Sequence, residues 1–411
     1  MKYIYFFLVN LMSLSFLLHS NENHLDILPG IPHKFDVLNE GNRQFAFDLF
    51  HQLNCQKGNC FFSPYSISTV FGMASVGARG DTAKEMQKVL YLTPYSYQAA
   101  GQFAQYLTVH SDAKDASFID LANDIWVQDG LNLLPEFQEN LQNQYQTKLH
   151  TVNFEKQPLN SIKIINEWVA SHTNNKIQQL LSSAEVTDKT RLVLTSAIYM
   201  KGNWVHEFDQ KGTNKAPFYA IEKHPIQVDM MNQTAKFLFY SDENFSMVEM
   251  PYLNRSRNGP QLSMVILLPN ERNGLENLEK DFTVNNWHQW IGEMKSHRVH
   301  LSLPKFKIED KIDLNQTLIE LGMTKVFNSQ ADFSGITGNK DLFISKAIHK
   351  SFLNVDEKGT EAAAASGISM NLTSVLIPEP TQEFLVDHPF IFLIMERNTG
   401  AILFMGRVIQ P

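Results

Sequence analysis

The spacing of hydrophobic and polar positions predicts helices in the first half of the chain and strands in the second. Phe45, Leu49 and Leu53 recur at helical intervals, and Met86 lies one turn before Val89. Apolar residues at these spacings form one face of an amphipathic helix. We therefore predict one helix around each of the two groups.

A third helix is predicted where Ile162, Ile165 and Val169 share a face, with Asn160 and Ser161 as its candidate N-terminal cap. The second half changes character, with short apolar or alternating runs that are bounded by Gly, Pro and Asn. The predicted strands cover residues 191–200, 247–252, 262–268, 299–303, 384–386, 390–395 and 401–408.

Helices followed by strands, without strict alternation of the two, favour an α+β fold with large and mainly antiparallel sheets. The chain contains no repeat, no low-complexity tract and no Pro/Gly-rich linker that would mark a domain boundary. We therefore predict one large domain over residues 21–411.

The N-terminal residues have the pattern of a secretory signal peptide. Lys2 precedes an almost uncharged apolar run over residues 3–18, and the small residue Ser20 follows. A membrane anchor is the competing interpretation, but the run is short for a span and is interrupted by polar residues such as Asn10. We predict that residues 1–20 are removed near Ser20 and that the protein is secreted to the extracellular space without a membrane-spanning segment.

Composition and charge narrow the function classes. The 411 residues are 43% hydrophobic and 19% charged, which excludes a disordered or collagen-like chain, and two cysteines are too few for a disulfide scaffold. The net charge of −8 supplies no general attraction for phosphates or anionic lipids, and no strong basic patch stands out. We expect no nucleic-acid partner.

Secretion changes the interpretation of Cys and Asn. Cys55 and Cys60 are separated by four residues, so they form either a small disulfide loop or two free buried thiols. N-glycosylation requires the sequence Asn-x-Ser/Thr on an exposed loop. The five candidate acceptors, of which we expect two or more to be used, are Asn232, Asn244, Asn254, Asn315 and Asn371.

Signatures of catalysis are missing from the sequence. It contains no G-x-S-x-G elbow, no P-loop, no G-x-G-x-x-G and no H-E-x-x-H. His297 and His300 have the nearest metal-like spacing, but in a strand they would lie on opposite faces. We therefore predict that the protein is not an enzyme and that it uses no metal or other cofactor.

The segment 354–389 has an unusual composition for a connection between strands. Residues 362–378 carry no charge, and they alternate between apolar and small or polar side chains with a period of two. This alternation is typical of a half-buried strand. An Ala-rich helix that ends at Gly367 would account for residues 362–365 but not for the alternation that follows.

Six stretches occur in a recognisable order along nearly the whole chain. They are NCFFSPYSISTVFGMASVGARGDT (59–82), LTSAIYMKGNW (194–204), LPKFKIE (303–309), LGMTKVF with ADFSGI (321–336), KAIHKSFLNVDEKGTEAAAASG (346–367) and DHPFIFLIMERNTGAILFMGRV (387–408). With these stretches the chain resembles the serpins, and the resemblance implies three β-sheets, eight or nine helices and an exposed reactive-centre loop at about 357–380.

The resemblance implies a suicide-substrate mechanism. A serine protease cleaves the loop and forms an acyl-enzyme, and the freed hinge then inserts into the main sheet as an extra strand, which distorts the protease. The protein would act as a monomer with the target serine protease as its covalent partner. The hinge residues implied by the resemblance are Glu357, Gly359, Thr360, Glu361, Ala362, Ala363, Ala364 and Ala365.

The reactive bond follows from the family's numbering along the loop. Counting from Glu357, the seventeenth residue is Thr373, so the predicted bond joins Thr373 to Ser374. A slightly longer loop would displace the count, and the alternatives are then Leu372, Val375 and Leu376.

The loop sequence also restricts the class of protease. No Lys or Arg occurs between Lys358 and Arg397, whereas a trypsin-like pocket with an acid at its base requires a cation. We expect an elastase- or chymotrypsin-like target. The sequon at Asn371 lies across the predicted bond, and a glycan there would obstruct the protease. This favours the alternative function, that of a non-inhibitory carrier or chaperone-like binding protein.

The resemblance assigns a second group of residues to the moving sheet. Ser63, Ser66 and His349 match the polar cluster where the sheet opens (the shutter), and Trp204 with Glu357 matches the place where insertion begins (the breach).

At one shutter position this chain departs from the family, because Ser196 stands where an Asn is usual. A hydroxyl forms fewer hydrogen bonds than an amide, so we expect a weaker or water-filled network. On this basis Ser196→Asn is expected to raise the melting temperature.

Binding of a glycosaminoglycan requires clustered cations. The predicted helix around 96–110 contains no Lys or Arg, which argues against a heparin site there. A weaker basic run consists of Lys295, Arg298, Lys305 and Lys307, which we interpret as a solvated face.

Overall fold

A computed structural model describes residues 35–53, 58–108, 117–220, 224–254, 259–360 and 380–411. The predicted signal peptide lies outside these residues. The described part of the chain contains ten α-helices, of which two, α7 and α10, are shorter than eight residues. The helices are α1 (Asp36–Leu53), α2 (Pro64–Ser75), α3 (Gly80–Val89), α4 (Pro94–Leu107), α5 (Pro135–Tyr145), α6 (Pro158–Ser171), α7 (Leu275–Asp281), α8 (Val284–Glu293), α9 (Leu314–Leu321) and α10 (Ser334–Thr337).

The helical spacing predicted α1 and α3 correctly. Phe45 and Leu49 are fully buried on α1, and Met86 is fully buried on α3. The cap predicted for α6 was wrong, because the helix begins at Pro158, before Asn160 and Ser161. A proline suits the first turn, where its missing N–H would have no helical partner.

Six strands form a mixed sheet, which we call the main sheet, in the order β10-β11-β12-β4-β2-β3. Strand β11 runs parallel to β4, whereas β2 is antiparallel to β4 and β10 is antiparallel to β11. The strands are β2 (Phe118–Gln128), β3 (His150–Val152), β4 (Leu192–Asn203), β10 (Phe306–Asp313), β11 (Lys346–Asp356) and β12 (Gly359–Thr360).

The other nine strands are hydrogen-bonded through the long strand β6, which joins two sheets into one. The first part of β6 pairs with β5, its middle with β9 and its end with β7. Together with the main sheet, the two sheets that β6 joins make up the expected three sheets. The strands are β1 (Cys60–Phe62), β5 (Asn214–Phe218), β6 (Ile226–Ser241), β7 (Phe245–Pro251), β8 (Leu262–Pro269), β9 (Lys295–Pro304), β13 (Thr381–Leu385), β14 (Phe390–Glu396) and β15 (Ala401–Val408).

All seven predicted strands are present, but the interpretation of the first half as helical missed β2. Residues on both faces of β2 are buried, so the strand does not alternate between polar and apolar positions. A strand covered on both faces cannot be distinguished from a buried helix by periodicity alone. One of its covers is α6, which packs on the main sheet.

Among the described residues, no helix has the length and apolar character needed to span a membrane.

Candidate functional site

The hinge already contributes a short strand to the main sheet. In β12, Gly359 pairs with Asn203 of β4 on one side and with Asp356 of β11 on the other. Lower in the sheet, β11 pairs directly with β4, from Lys346 to Ser351. The sheet is therefore closed at one end and holds the hinge residues Gly359 and Thr360 between β4 and β11 at the other.

Only glycine fits at the first position of β12. A Cβ at Gly359 would lie 1.9 Å from the carbonyl oxygen of Gly202, far inside van der Waals contact. The φ angle of Gly359 is +152°, which L side chains rarely adopt. A side chain at this position would push the hinge away from β4.

The next hinge residue, Thr360, is held by a buried hydroxyl pair. Its Oγ1 lies 2.7 Å from the phenol oxygen of Tyr252, and both residues are almost fully buried. Burial raises the pKa of Tyr252, so the phenol stays protonated and available as a donor. The ring of Tyr252 stacks on Trp204 at 4.4 Å between centroids. Sequence analysis missed Tyr252, because a lone aromatic residue at the end of a strand gives no functional signal.

Glu357 is fixed by three partners at the turn before β12. Its carboxylate accepts hydrogen bonds from Lys305 Nζ at 2.9 Å and from Thr213 Oγ1 at 2.8 Å, and its carbonyl accepts one from the N–H of Phe208. Burial by itself would raise the pKa of Glu357, but the hydrogen bond from Lys305 and the others outweigh it and lower the pKa. Glu357 is therefore an ionised carboxylate that is mostly buried.

Trp204 completes this region, as the resemblance implied. Its backbone N–H donates to the carbonyl of Lys358 at 2.7 Å, and its indole Nε1 donates to the carbonyl of Asp356 at 3.1 Å. The indole and the Lys305–Glu357 pair thus hold the same turn from two sides. We call Thr213, Trp204, Tyr252, Lys305 and Glu357 the hinge clamp.

The four predicted shutter residues meet beneath the closed end of the main sheet. His349 accepts a hydrogen bond at Nε2 from the N–H of Ser63 at 3.0 Å, and its Nδ1 lies 2.9 Å from Ser196 Oγ. Ser196 Oγ in turn lies 2.8 Å from Ser66 Oγ. All four side chains are fully buried.

The chemistry of His349 gives this network a direction. Burial lowers the pKa of His349 to about 3, so the imidazole is neutral. Because Nε2 accepts from Ser63, the ring proton resides on Nδ1 and is donated to Ser196. The hydroxyl of Ser196 then donates to Ser66, whose own hydroxyl donates to Asn123 Oδ1 at 2.5 Å. The network contains no formal charge.

Asn123 explains how the chain accommodates Ser196. It lies on β2 directly opposite Ser196 on β4, and its Oδ1 accepts the hydrogen bond from Ser66. The Ser196 oxygen has two partners, whereas Asn123 Nδ2 is buried without a hydrogen-bond partner. A weaker or water-filled network at Ser196 therefore stays a prediction. Sequence analysis missed Asn123; the only available signal was a polar residue between Ala122 and Asp124 in a strand whose partners were unknown.

The predicted glycosylation sites differ in the exposure and hydrogen bonding of their Asn side chains. Asn244 is exposed on the turn between β6 and β7. The side-chain nitrogens of three others donate to backbone carbonyls: Asn232 to Gly212, Asn254 to Pro260 and Asn315 to Ser345. Cys60 is disulfide-bonded, and the other cysteine of the chain, Cys55, lies outside the described residues.

Several predicted site residues lie outside the part of the chain that the structure describes, and their assignments stay predictions. They are Glu361, Ala362, Ala363, Ala364, Ala365, Asn371, Leu372, Thr373, Ser374, Val375 and Leu376.

The remaining candidates are dispersed. His297 packs edge-on against Phe239, while His300 bonds to Glu383 at 2.7 Å. Within the described ranges, no group of three or more His, Cys, Asp or Glu side chains could hold a metal ion. The basic run is also divided, since Lys305 pairs with Glu357 and Lys307 lies over the ring of Phe352.

Comparisons with known proteins agree with this geometry. The family model described as "Serpin (serine protease inhibitor)" matches residues 40–411. The human leukocyte elastase inhibitor is 39% identical over 388 residues, covering 92% of this chain and all of the relative.

Solved structures with the same fold include Serpin48 of the insect Tenebrio molitor and human thyroxine-binding globulin complexed with its hormone. The first has a TM-score of 0.79 at 31% identity and the second a TM-score of 0.82 at 26% identity. They cover 93% and 92% of this chain, and 100% and 99% of their own chains respectively. The chain belongs to the serpin family.

Proposed function

We propose that the protein is a secreted suicide-substrate inhibitor of elastase- or chymotrypsin-like serine proteases. The observation that carries this proposal is β12, which places the hinge residues Gly359 and Thr360 between β4 and β11. A strand that continued β12 in the same register would enter between β4 and β11.

The proposed chemistry begins with the protease, not with this chain. The protease serine attacks the carbonyl carbon of Thr373, and the peptide bond to Ser374 breaks as its nitrogen takes up a proton. The Thr373 acyl group is then esterified to the protease serine. The residues from Ser374 onward leave as the C-terminal fragment, which stays held by its strands.

Insertion then competes with hydrolysis of the ester. Each residue added after Thr360 can form strand hydrogen bonds with β4 on one side and β11 on the other. Ala362 to Ala365 offer little steric resistance to a strand that must enter quickly. Residues 357–373 span at most about 60 Å when extended, and a domain of this size is about 55 Å across. The acyl group would therefore carry the protease from one pole to the other.

The class of target rests on the loop sequence. The absence of Lys and Arg from 359–396 disfavours a trypsin-like pocket, and Thr, Val or Leu suits a small or apolar one. The relative named leukocyte elastase inhibitor supports the same class.

Secretion is proposed from the N-terminal apolar run and the disulfide. The family model begins at residue 40, after the predicted signal peptide. The disulfide at Cys60 also suits an oxidising compartment, because structural disulfides are rare in reducing cytosol.

A second function, hormone carriage or chaperone-like binding, is favoured by the sequon at Asn371. A glycan beside the predicted reactive bond would block a protease but not a ligand site elsewhere. Thyroxine-binding globulin shares the fold and binds a small molecule.

The test is incubation of the secreted protein with an elastase, a chymotrypsin and a trypsin, followed by denaturing gels and mass analysis of the C-terminal fragment. We expect a covalent complex with elastase or chymotrypsin but not with trypsin, and a fragment that starts at Ser374.

Thr360→Arg should convert the inhibitor into a substrate, since a charged side chain cannot occupy the buried Thr360 site. Thr360→Ser is the matched control and should still form the complex. Cleavage of the wild type without a covalent complex would contradict the inhibitory function and favour the carrier function.

A further inference from the structure

Helix α6 covers the part of the main sheet that an inserted strand must open. Its apolar face and the connection from α6 to β4 pack on three strands at once: on β2 through Trp126, on β4 through Val193 and Ala197, and on β11 through Ile348 and Phe352. An extra strand between β4 and β11 separates their axes by a further 4.8 Å or so. Contacts of α6 on one side of the opening must therefore be lost or rearranged.

A partly buried Asp–His pair lies under the end of this helix. Asp124 Oδ2 of β2 lies 2.9 Å from His150 Nε2 of β3. The Asp124 side chain is only 3% exposed, whereas that of His150 is 38% exposed. Water can thus deliver a proton to the imidazole, while the carboxylate has lost almost all of its hydration.

The same imidazole contacts α6 through a group of stacked rings. His150 stacks on Trp126 at 4.7 Å, and Trp168 of α6 lies edge-on to Trp126 at 5.5 Å and tilted against His150 at 5.7 Å. His172, just after the helix, also stacks on Trp168, at 4.2 Å. The ion pair therefore positions the surface on which Trp168 rests.

The connection between α6 and β4 is hydrogen-bonded to the helix. Asn166 of α6 bonds to the backbone N–H groups of Leu180 and Leu181 and to the carbonyl of Leu181. Leu180 and Leu181 belong to the same apolar cluster as Phe352 of β11. Displacement of this connection by an entering strand would consequently pull on α6 and on the Trp168 contact.

The surroundings of Asp124 and His150 change the pKa of both groups. Burial raises the pKa of Asp124 despite the hydrogen bond from His150, and the bond to Asp124 raises the pKa of His150 despite partial burial. A further titratable side chain, His172, acts on Asp124 through a weaker Coulombic attraction. Lys163 and Glu167 of α6 pair with each other at the surface. The pair as a whole therefore keeps its proton to a higher pH than a free imidazole would.

We propose that Asp124 and His150 are positioning residues that anchor α6 on β2 and β3 when His150 is protonated, and that this anchor slows insertion of the cleaved loop. The proposal rests on the inhibitory function proposed above. A raised pKa means that the anchor is complete below about pH 6.5, the ordinary histidine value, and weakens as the pH rises through the folded value. Insertion should thus be faster in mildly alkaline than in mildly acidic solution.

The first test needs no protease. Hydrogen exchange of the α6 amides is measured at pH 6 and pH 8, corrected for intrinsic rates, in wild type, His150→Gln and His172→Gln. We expect wild type to protect α6 about twofold to fivefold more at pH 6 than at pH 8, the range for a partly exposed ion pair. His150→Gln should remove this difference, whereas the matched control His172→Gln, which keeps the pair, should retain it. Equal pH dependence in wild type and His150→Gln would overturn the anchor.

The second test measures the rate of formation of the covalent complex with elastase at both pH values. The ratio of the wild-type rate to the His150→Gln rate cancels the pH dependence of the protease itself. We expect this ratio to be near one at pH 8 and to fall about twofold to fivefold at pH 6. A ratio independent of pH would overturn the proposed effect on insertion. If neither protein forms a complex at any pH, the inhibitory function fails, and the exchange measurement still decides whether the anchor exists.

Discussion

The main sheet is held at two places by different chemistry. At the hinge clamp an ionised carboxylate, Glu357, is neutralised by Lys305, which is 38% exposed. At the shutter a neutral imidazole, His349, joins three serines and Asn123 without any formal charge. In the proposed mechanism both places rearrange when a strand enters, yet only the clamp contains a charge that salt can screen.

The difference indicates that the two ends of the opening respond to different conditions. Mild acid should loosen the shutter, because the unfolded chain protonates the histidine that the folded chain keeps neutral. Salt should loosen the clamp, because its ammonium group is partly hydrated. A substitution at one end leaves the other end as the internal reference.

The largest expected effect is the response of the shutter to acid. Folded His349 stays neutral down to about pH 3, whereas the unfolded side chain takes up its proton near pH 6.5. Unfolding therefore binds a proton in this interval, and the free energy of unfolding should fall by about 2.5 kcal/mol between pH 7 and pH 4.5. Urea unfolding of wild type and His349→Gln measures this, and the variant should lose that part of the slope. Identical slopes would contradict the assignment.

Removal of the clamp cation should have the next largest effect. Lys305→Met leaves Glu357 buried without a counter-charge, and we expect a loss of about 2 kcal/mol, less than for a fully buried pair because Lys305 is partly exposed. Thermal unfolding at low and high salt measures it, with Lys305→Arg as the charge-preserving control. The lowered pKa of Glu357 means that the pair contributes fully above the ordinary value of 4.5 and is lost only as the pH falls through the folded value. A clamp that weakened between pH 7 and pH 5 would not fit this chemistry.

Substitutions at positions 123 and 196 test whether Asn123 takes the place of the Asn that the family usually has at position 196. Ser196 is fully buried and bonded on two sides, so Ser196→Asn should now lower stability by about 1–3 kcal/mol through overpacking, the reverse of the expectation from sequence. The double variant Asn123→Ser with Ser196→Asn moves the amide across the strand pair and should recover part of the loss. Differential scanning calorimetry of the three proteins decides between these directions, and a more stable single variant would show that the site has spare room.

The smallest expected effect concerns the hydroxyl pair at β12. Thr360→Val keeps the shape but leaves the Tyr252 phenol without its partner, at a cost of about 1 kcal/mol. Because the loss is local, we expect faster hydrogen exchange at Gly359 and Thr360 with little change in melting temperature. Thr360→Ser retains the hydroxyl and should exchange as wild type does, so equal acceleration in both variants would argue against the bond.

Much of the fold was predictable because its elements carry local signals. The spacing of Phe45 and Leu49 predicted α1, and alternating or β-rich runs predicted seven strands. Strand β2 was not predictable, because both of its faces are covered and the sequence cannot show what covers them. The start of α6 was also misplaced, since Asn160 and Ser161 are good cap residues that lie inside a helix begun by Pro158.

The residues of the site were predictable from the sequence, but their hydrogen-bond partners were not. Motif resemblance named Ser63, Ser66, His349, Trp204 and Glu357, and the structure brings the first three and the last two together. The motif resemblance gave no partner for Glu357. Lys305 is 52 residues away along the chain, and its pairing depends on how β9 and β10 meet the hinge.

The sequence by itself determined the family, the run of small residues after Thr360 and the absence of Lys and Arg from 359–396, because these depend on residue type and order. The tertiary structure decided that Asn123 lies opposite Ser196 and accepts from Ser66, that Thr360 bonds to Tyr252, and that Asp124 lies 2.9 Å from His150. These pairs join strands that are distant in sequence, so only the register of the folded sheet brings their atoms within hydrogen-bond distance. Burial then determines which of these groups carry charge, because a buried group is ionised only where a partner compensates the lost hydration.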